Sequence, residues 1–171
     1  MRTAKVRVVP YDEGWKNAFE DICSELKAAL GDLAIAIEHV GSTSVPGLCA
    51  KPCIDIDVVI EDYSVFDRVV AKLADIGYIH EGDLGIRERE AFKYIDKPHL
   101  MNHHMYVCPR HSEELRRHIT FRDYLRSHPE AAQAYGAVKT RAAQLYPDNI
   151  DGYIEHKSDC IQQIYRQCGL E

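Results

Sequence analysis

Residues 53–60 read Cys-Ile-Asp-Ile-Asp-Val-Val-Ile, and no other stretch restricts the fold of this chain so tightly. Side chains alternate between the two faces of a strand. Ile54, Ile56, Val58 and Ile60 therefore share one face, and Asp55, Asp57 and Val59 share the other. The apolar face has to be buried. The acidic face sets two carboxylates close together, and like charges so placed repel, more strongly when partly buried. A divalent cation or basic side chains must neutralise them. Mg2+ is the usual solution, because carboxylate and phosphate oxygens together complete its octahedron. The alternative is a solvent-facing strand carrying two solubilising charges.

Upstream, residues 34–40 read as a second strand, with Ile35 and Ile37 on one face, and Gly41 and Ser42 follow it directly. A glycine there lets the backbone approach a ligand, and free N–H groups beside a hydroxyl can hold phosphate oxygens. The stretch 41–52 is rich in Gly, Ser and Pro and reads as a loop with a helical turn. Pro46 and Gly47 turn the chain so that the 53–60 strand returns beside the first, bringing the Gly-Ser loop to the aspartates. Neither a G-x-S-x-G elbow nor the glycine-lysine-hydroxyl order of a P-loop is present.

The remaining pattern is α+β, with a helical segment at the C-terminal end. Residues 5–10 are a short strand or an extended lead ending at Pro10. Trp15, Phe19, Ile22, Leu26 and Leu30 recur at helical spacing, which predicts a helix over 12–30 stopped by Gly31. A second helix, with Ser64 as N-cap and Asp67 three positions on, points Phe66, Val69, Val70, Leu73 and Ile76 inward and closes at Gly77. Strands are predicted near 78–81, 91–95 and 100–108, the last two joined as a hairpin by Asp96-Lys97-Pro98. Helices near 112–127, 130–145 and 150–167 follow, broken at His128-Pro129 and Pro147-Asp148. The 171 residues suit one domain over 1–171, with a core about 1–110 and a helical part about 111–171.

A net charge of -6 argues against broad binding to nucleic acid while leaving room for a local basic site. No run approaches the roughly 18 to 20 apolar residues of a membrane span. The start, Met1-Arg2-Thr3-Ala4-Lys5, lacks a secretory pattern, so the chain is expected to be cytoplasmic. Its six cysteines are scattered without a C-x-x-C pair and read as free thiols. A metal site using Cys49, Cys53 and Cys108 is the alternative, and a zinc site drawing on His103, His104 and cysteines is a weaker one.

Gly41-Ser42, twelve intervening residues and Asp55-Ile56-Asp57-Val58 resemble the Gly-Ser…Asp-x-Asp signature of the DNA polymerase β-like nucleotidyltransferase superfamily. More closely, His39-Val40-Gly41-Ser42-Thr43-Ser44-Val45-Pro46-Gly47-Leu48, with Ala50-Lys51-Pro52 and Ile54-Asp55, resembles the GrpB (UPF0157) family. Tyr11, Trp15, Arg89-Glu90-Ala91-Phe92, Phe121-Arg122-Asp123-Tyr124-Leu125-Arg126, Tyr135…Lys139 and Tyr153…Lys157 extend the similarity along nearly the whole chain. The resemblance implies a nucleotidyltransferase-like mixed β-sheet backed by helices. It also implies a metal-dependent transfer of a nucleotidyl group from an NTP to a small-molecule or protein acceptor. On that reading Gly41, Ser42, Thr43 and Ser44 hold the triphosphate, Asp55 and Asp57 hold Mg2+ or Mn2+, and Lys51, Arg89, Lys139 and Lys157 neutralise phosphates.

Active members of the superfamily generally place a third carboxylate on a later strand. Here that strand reads Asn102-His103-His104-Met105-Tyr106-Val107 and has none. Members of the GrpB family carry a His-rich strand there, which makes His104 a candidate base or metal ligand. His104 and Tyr106 share one face and His103 and Met105 the other; the pattern does not say which face meets the aspartates. The competing reading is a nucleotide- or metabolite-binding protein that keeps the fold without catalysis. Fusion of similar proteins to dephospho-CoA kinase suits an accessory role near coenzyme A metabolism.

Overall fold

The apolar stripe that begins at Trp15 forms helix α1, Gly14–Leu30, and buries Trp15, Ile22, Cys23, Leu26 and Leu30. The computed structural model describes residues 5–170. Met1–Ala4 lie outside it, and with them the sequence reading of the start of the chain. The lead before α1 joins no strand of the sheet; Val9 forms an isolated bridge with Ala50, and Val6 N–H donates to Pro147 O at 2.8 Å.

Five strands form one mixed sheet: β1 (Ala36–Val40), β2 (Ile54–Ile60), β3 (Tyr78–Gly82), β4 (Glu90–Tyr94) and β5 (His103–Pro109). Their order is β1-β2-β5-β4-β3. β1 and β2 are antiparallel, with Val40 opposite Asp55. β2 and β5 are parallel, with Asp55 opposite His104 and Asp57 opposite Tyr106. The apolar face of β2 packs with Met105, Val107, Phe92 and Tyr78 beneath α1 and helix α2 (Phe66–Asp75), forming the larger core. Gly77, at φ 93°, turns the chain out of α2 into β3.

The start of α2 departs from the sequence pattern. Ser64 does not cap it. Asp62 caps a short 3-10 turn over Tyr63–Val65 by accepting from the Ser64 N–H, and α2 begins at Phe66. An aspartate two residues upstream reaches the free amide as well as a serine does, and the apolar spacing cannot separate the two starts.

The other sheet face is also covered. α3 (Glu113–Ser127) starts at Ser112, whose Oγ accepts from Leu115 N–H. Its Leu115 packs on Val59 and Cys108. α4 (Pro129–Leu145) and α5 (Ile150–Gln167) lie against each other and against the loop after β1, where Val45, Leu48, Leu125, Ala132, Tyr135 and Ile164 form a second core. The acidic face of β2 is thus roofed by the C-terminal helices, and Asp57 is fully buried. Among the described residues no helix is long and apolar enough to cross a membrane.

Candidate active site

The loop between β1 and β2 is built to stand against Asp55. Gly41 has φ 74°, and a Cβ there would lie 3.0 Å from both Cβ and Cγ of Asp55 and closer still to a carboxylate oxygen. Only glycine satisfies both the backbone and the approach. Ser42–Ser44 then form a 3-10 turn. Ser44 Oγ donates to Gly41 O at 2.5 Å. His39 Nε2 and Thr43 Oγ1 are hydrogen-bonded at 2.9 Å, with the His39 ring stacked on Phe19. Burial, reinforced by Arg126, pushes His39 down to about 4, so it is neutral near pH 7. Arg122 and Arg126 of α3 donate to His39 O and Ser44 O, at 3.1 and 2.9 Å, and tie the turn from outside.

Where this turn meets β2, β5, α4 and α5 there is a cleft of about 200 Å³. Ser42, Thr43, Lys51, Asp55, His104, Lys139 and Lys157 line it, together with Cys53 and Tyr153. Seven of the site residues marked by the sequence therefore converge, although they are spread from residue 42 to residue 157. Gly41 and Ser44 support the turn rather than line the cleft. Arg89 does not line the cleft but stands beside its acidic end: its guanidinium lies 4.2 Å from the centroid of the Tyr106 ring, opposite Asp57, its charge favours the Asp57 carboxylate, and its Nε is buried without a partner.

The electrostatics are uneven. Lys139 is 2% exposed, donates from Nζ to Cys49 O at 2.7 Å and lies over the Tyr135 ring. Burial, then the neighbouring Lys157, pushes it down to about 7. Lys157 lies over the Tyr153 ring and is also lowered by burial. Among the described residues neither lysine has an ion-pair partner. Two cations are therefore held at a cost in a cleft that offers no counter-ion beyond the nearby Asp55.

Asp55 is half-buried, and His104 Nδ1 donates to its Oδ1 at 3.2 Å. Hydrogen bonds to Asp55 and Cys53 carry His104 up to about 10. The aspartates thus share a face with His104 and Tyr106. His103 lies on the opposite face, hydrogen-bonded to Tyr78 Oη at 2.7 Å. Asp57 pairs with a residue the sequence did not mark. His118 Nδ1 of α3 donates to Asp57 Oδ2 at 2.6 Å, and its Nε2 sits 3.2 Å from Glu114 Oε1. Burial opposes the imidazolium, but the hydrogen bonds to Asp57 and Glu114 outweigh it and lift His118 to about 9. Burial raises the Asp57 carboxyl, and His118 pulls it back. The i,i+4 spacing of Glu114 and His118 was visible, but not which face of α3 meets the sheet.

The donor set fits a hard cation in part. Asp57 Oδ1 is buried and without a partner, beside a second carboxylate on the same strand face. Mg2+ commonly takes only one or two carboxylates and completes its shell with water and phosphate oxygens. β5 supplies no third carboxylate, because Tyr106 stands opposite Asp57 under Arg89. Among the described residues no three His, Cys, Asp or Glu side chains converge as a metal cage, and the six cysteines are free. Cys49, Cys53 and Cys108, or His103 and His104 with cysteines, therefore do not form a zinc-type site.

The UPF0157 protein YqkA of Bacillus subtilis is 34% identical over 158 residues, covering 92% of this chain and 46% of YqkA, so the chain spans less than half of that relative. A dephospho-CoA kinase of Mycolicibacterium paratuberculosis is 29% identical over 96% of this chain and 46% of its own length. The crystal structure of the conserved protein GrpB from Enterococcus faecalis superposes with a TM-score of 0.83 at 35% identity, over 95% of this chain and 96% of that one. The poly(U) polymerase Cid1, solved with MgGTP bound, superposes with a TM-score of 0.55 at 11% identity, over 79% of this chain and 44% of Cid1. That likeness shows a shared nucleotidyltransferase fold. The family model described as GrpB protein matches residues 5–167, and the chain belongs to the GrpB family.

Proposed function

We propose that this protein is a metal-dependent nucleotidyltransferase that moves a nucleotidyl group from an NTP to a small-molecule or protein acceptor. The observation that carries the reading is the pairing of charges in one cleft. Buried Lys139 and half-buried Lys157, neither with an ion-pair partner among the described residues, face the Ser42–Thr43 turn at one side and Asp55 at the other. A polyanion that brings its own divalent cation answers both halves: phosphates for Lys139 and Lys157, the cation for Asp55 and Asp57. The volume of about 200 Å³ lies below the roughly 300 Å³ at which small-ligand pockets begin, so it suits the phosphate portion of a nucleotide.

Asp55 and Asp57 would hold Mg2+ or Mn2+, which when bound supplies charge neutralisation at the reacting phosphorus and the leaving oxygen. Ser42 and Thr43 orient the triphosphate, and Lys51, Lys139 and Lys157 neutralise it. Tyr153, buried with its ring under Lys157, holds that lysine at the cleft. His104, hydrogen-bonded to Asp55, is the candidate base or further metal ligand. The relatives support the nucleotide assignment, since a protein of the same fold is solved with MgGTP.

A second reading is favoured by Tyr106. It occupies the strand position facing Asp57 where a third carboxylate would stand, which suits a protein that binds a nucleotide or related metabolite without transferring it. The dephospho-CoA kinase relatives support placing such a protein near coenzyme A metabolism. Thermal unfolding in the presence of ATP, GTP, CTP and UTP, with and without Mg2+, tests the shared claim. A midpoint raised by one NTP only when Mg2+ is present supports it, and no shift with any NTP overturns it. Release of pyrophosphate then separates transfer from binding alone.

A further inference from the structure

A second cleft, roomier than the one at Asp55, lies elsewhere in the fold. A cleft of about 600 Å³ lies at the far end of β2, between the C-terminal end of α1 and the exposed side of α2. Because β2 runs from Ile54 to Ile60, the two clefts are separated by about 20 Å of strand. The floor of the larger one is apolar, made by Leu30, Leu33, Ile35 and Val65. Ile35 is 48% exposed there, an aliphatic side chain left uncovered next to a strand whose other members are packed.

The wall is charged in a particular way. Arg68 and Lys72 stand four residues apart on α2, so they lie on one helix face. Among the described residues neither has an ion-pair partner. Two acidic residues also line the cleft. Glu61 is already paired with Arg110 at 3.1 Å, and Asp32 sits on the short turn after α1, a different element from the cations. Two like charges one turn apart repel, so their pairing above an apolar floor is a cost to the free protein. A ligand with an apolar body and an anionic head removes it: the body covers Ile35 and Leu33, and the head bridges Arg68 and Lys72.

We propose that this cleft is a second binding site, for a small amphipathic anion consisting of an apolar chain or ring bearing one carboxylate or phosphate. The site uses none of the residues of the Asp55 cleft, so it stands whether or not the nucleotidyltransferase reading does.

The test uses the full chain and the fluorescent probe 1-anilinonaphthalene-8-sulfonate, an aromatic body with a sulfonate head. Saturable binding at one site is expected, displaced by decanoate or decyl phosphate but not by decyltrimethylammonium or by ATP with Mg2+. Whichever of the two anions displaces at lower concentration identifies the headgroup. Arg68→Gln/Lys72→Gln is expected to weaken the probe at least tenfold, and Ala71→Trp, which fills the cleft and keeps both cations, to abolish it. Matching thermal midpoints show that the variants remain folded, and Arg68→Lys serves as a conservative control that keeps binding. Non-saturable binding, equal displacement by the cationic chain, or affinity unchanged in both Arg68→Gln/Lys72→Gln and Ala71→Trp overturns the proposal.

Discussion

At Gly41 one residue type answers two constraints, a left-handed φ and the Asp55 carboxylate against the place a Cβ would take. Gly41→Ala is expected to destabilise the protein by about 1 to 3 kcal/mol, seen as a lower midpoint in chemical denaturation. His118 carries a different signature. Its folded pKa, about 9, lies above the ordinary histidine value, so its stabilising contribution is complete below about pH 6.5 and lost as pH rises through 9. The stability difference between the protein and His118→Gln should therefore shrink between pH 7 and pH 10; a constant difference would contradict the Asp57–His118–Glu114 arrangement. At this scale the aspartates were legible because strand periodicity alone places them on one face. His118 was not, because its contact depends on how α3 is rotated against β2, which no spacing within α3 records.

Among the elements, α4 and α5 have the most to say about function. Each brings one lysine, from positions 139 and 157, to a cleft otherwise made by β2, β5 and the turn before them. Lys139 is depressed to about 7, so folding penalises its charged form, and its cost to stability grows as pH falls from about 10.5 to 7. Lys139→Met should therefore raise stability near pH 6.5 by about 2 to 4 kcal/mol while lowering nucleotide affinity. A variant that loses stability and keeps affinity would place Lys139 in the scaffold instead. Helix positions were legible from apolar spacing and from the breaks at His128-Pro129 and Pro147-Asp148. The start of α2 was not, because Asp62 and Ser64 are equally good caps and only the local backbone selects between them.

Across the whole molecule one core lies on the apolar face of the sheet and a second lies among α3, α4, α5 and the turn that approaches Asp55, which contributes Val45 and Leu48. Leu125→Ala, far from the lysines in sequence and fully packed in that second core, is expected to cost about 2 to 5 kcal/mol. It should also weaken nucleotide binding by loosening the turn, whereas Leu73→Ala in the first core should cost similar stability with less effect on affinity. The mixed sheet and helical roof were legible in outline, since hydrophobic periods give element types. The burial of Asp57 was not, because it follows from α3 closing over a face that the strand pattern alone presents as polar. The central claim is that Asp55, Asp57 and the two lysines form one site for a nucleotide with its cation. Calorimetric titration with ATP, GTP, CTP and UTP, with and without Mg2+, against the protein and Asp55→Asn/Asp57→Asn tests it most directly. The account predicts Mg2+-dependent binding of one nucleotide that the double variant abolishes; no binding to any nucleotide in either condition, or binding unchanged by the double substitution, would contradict it.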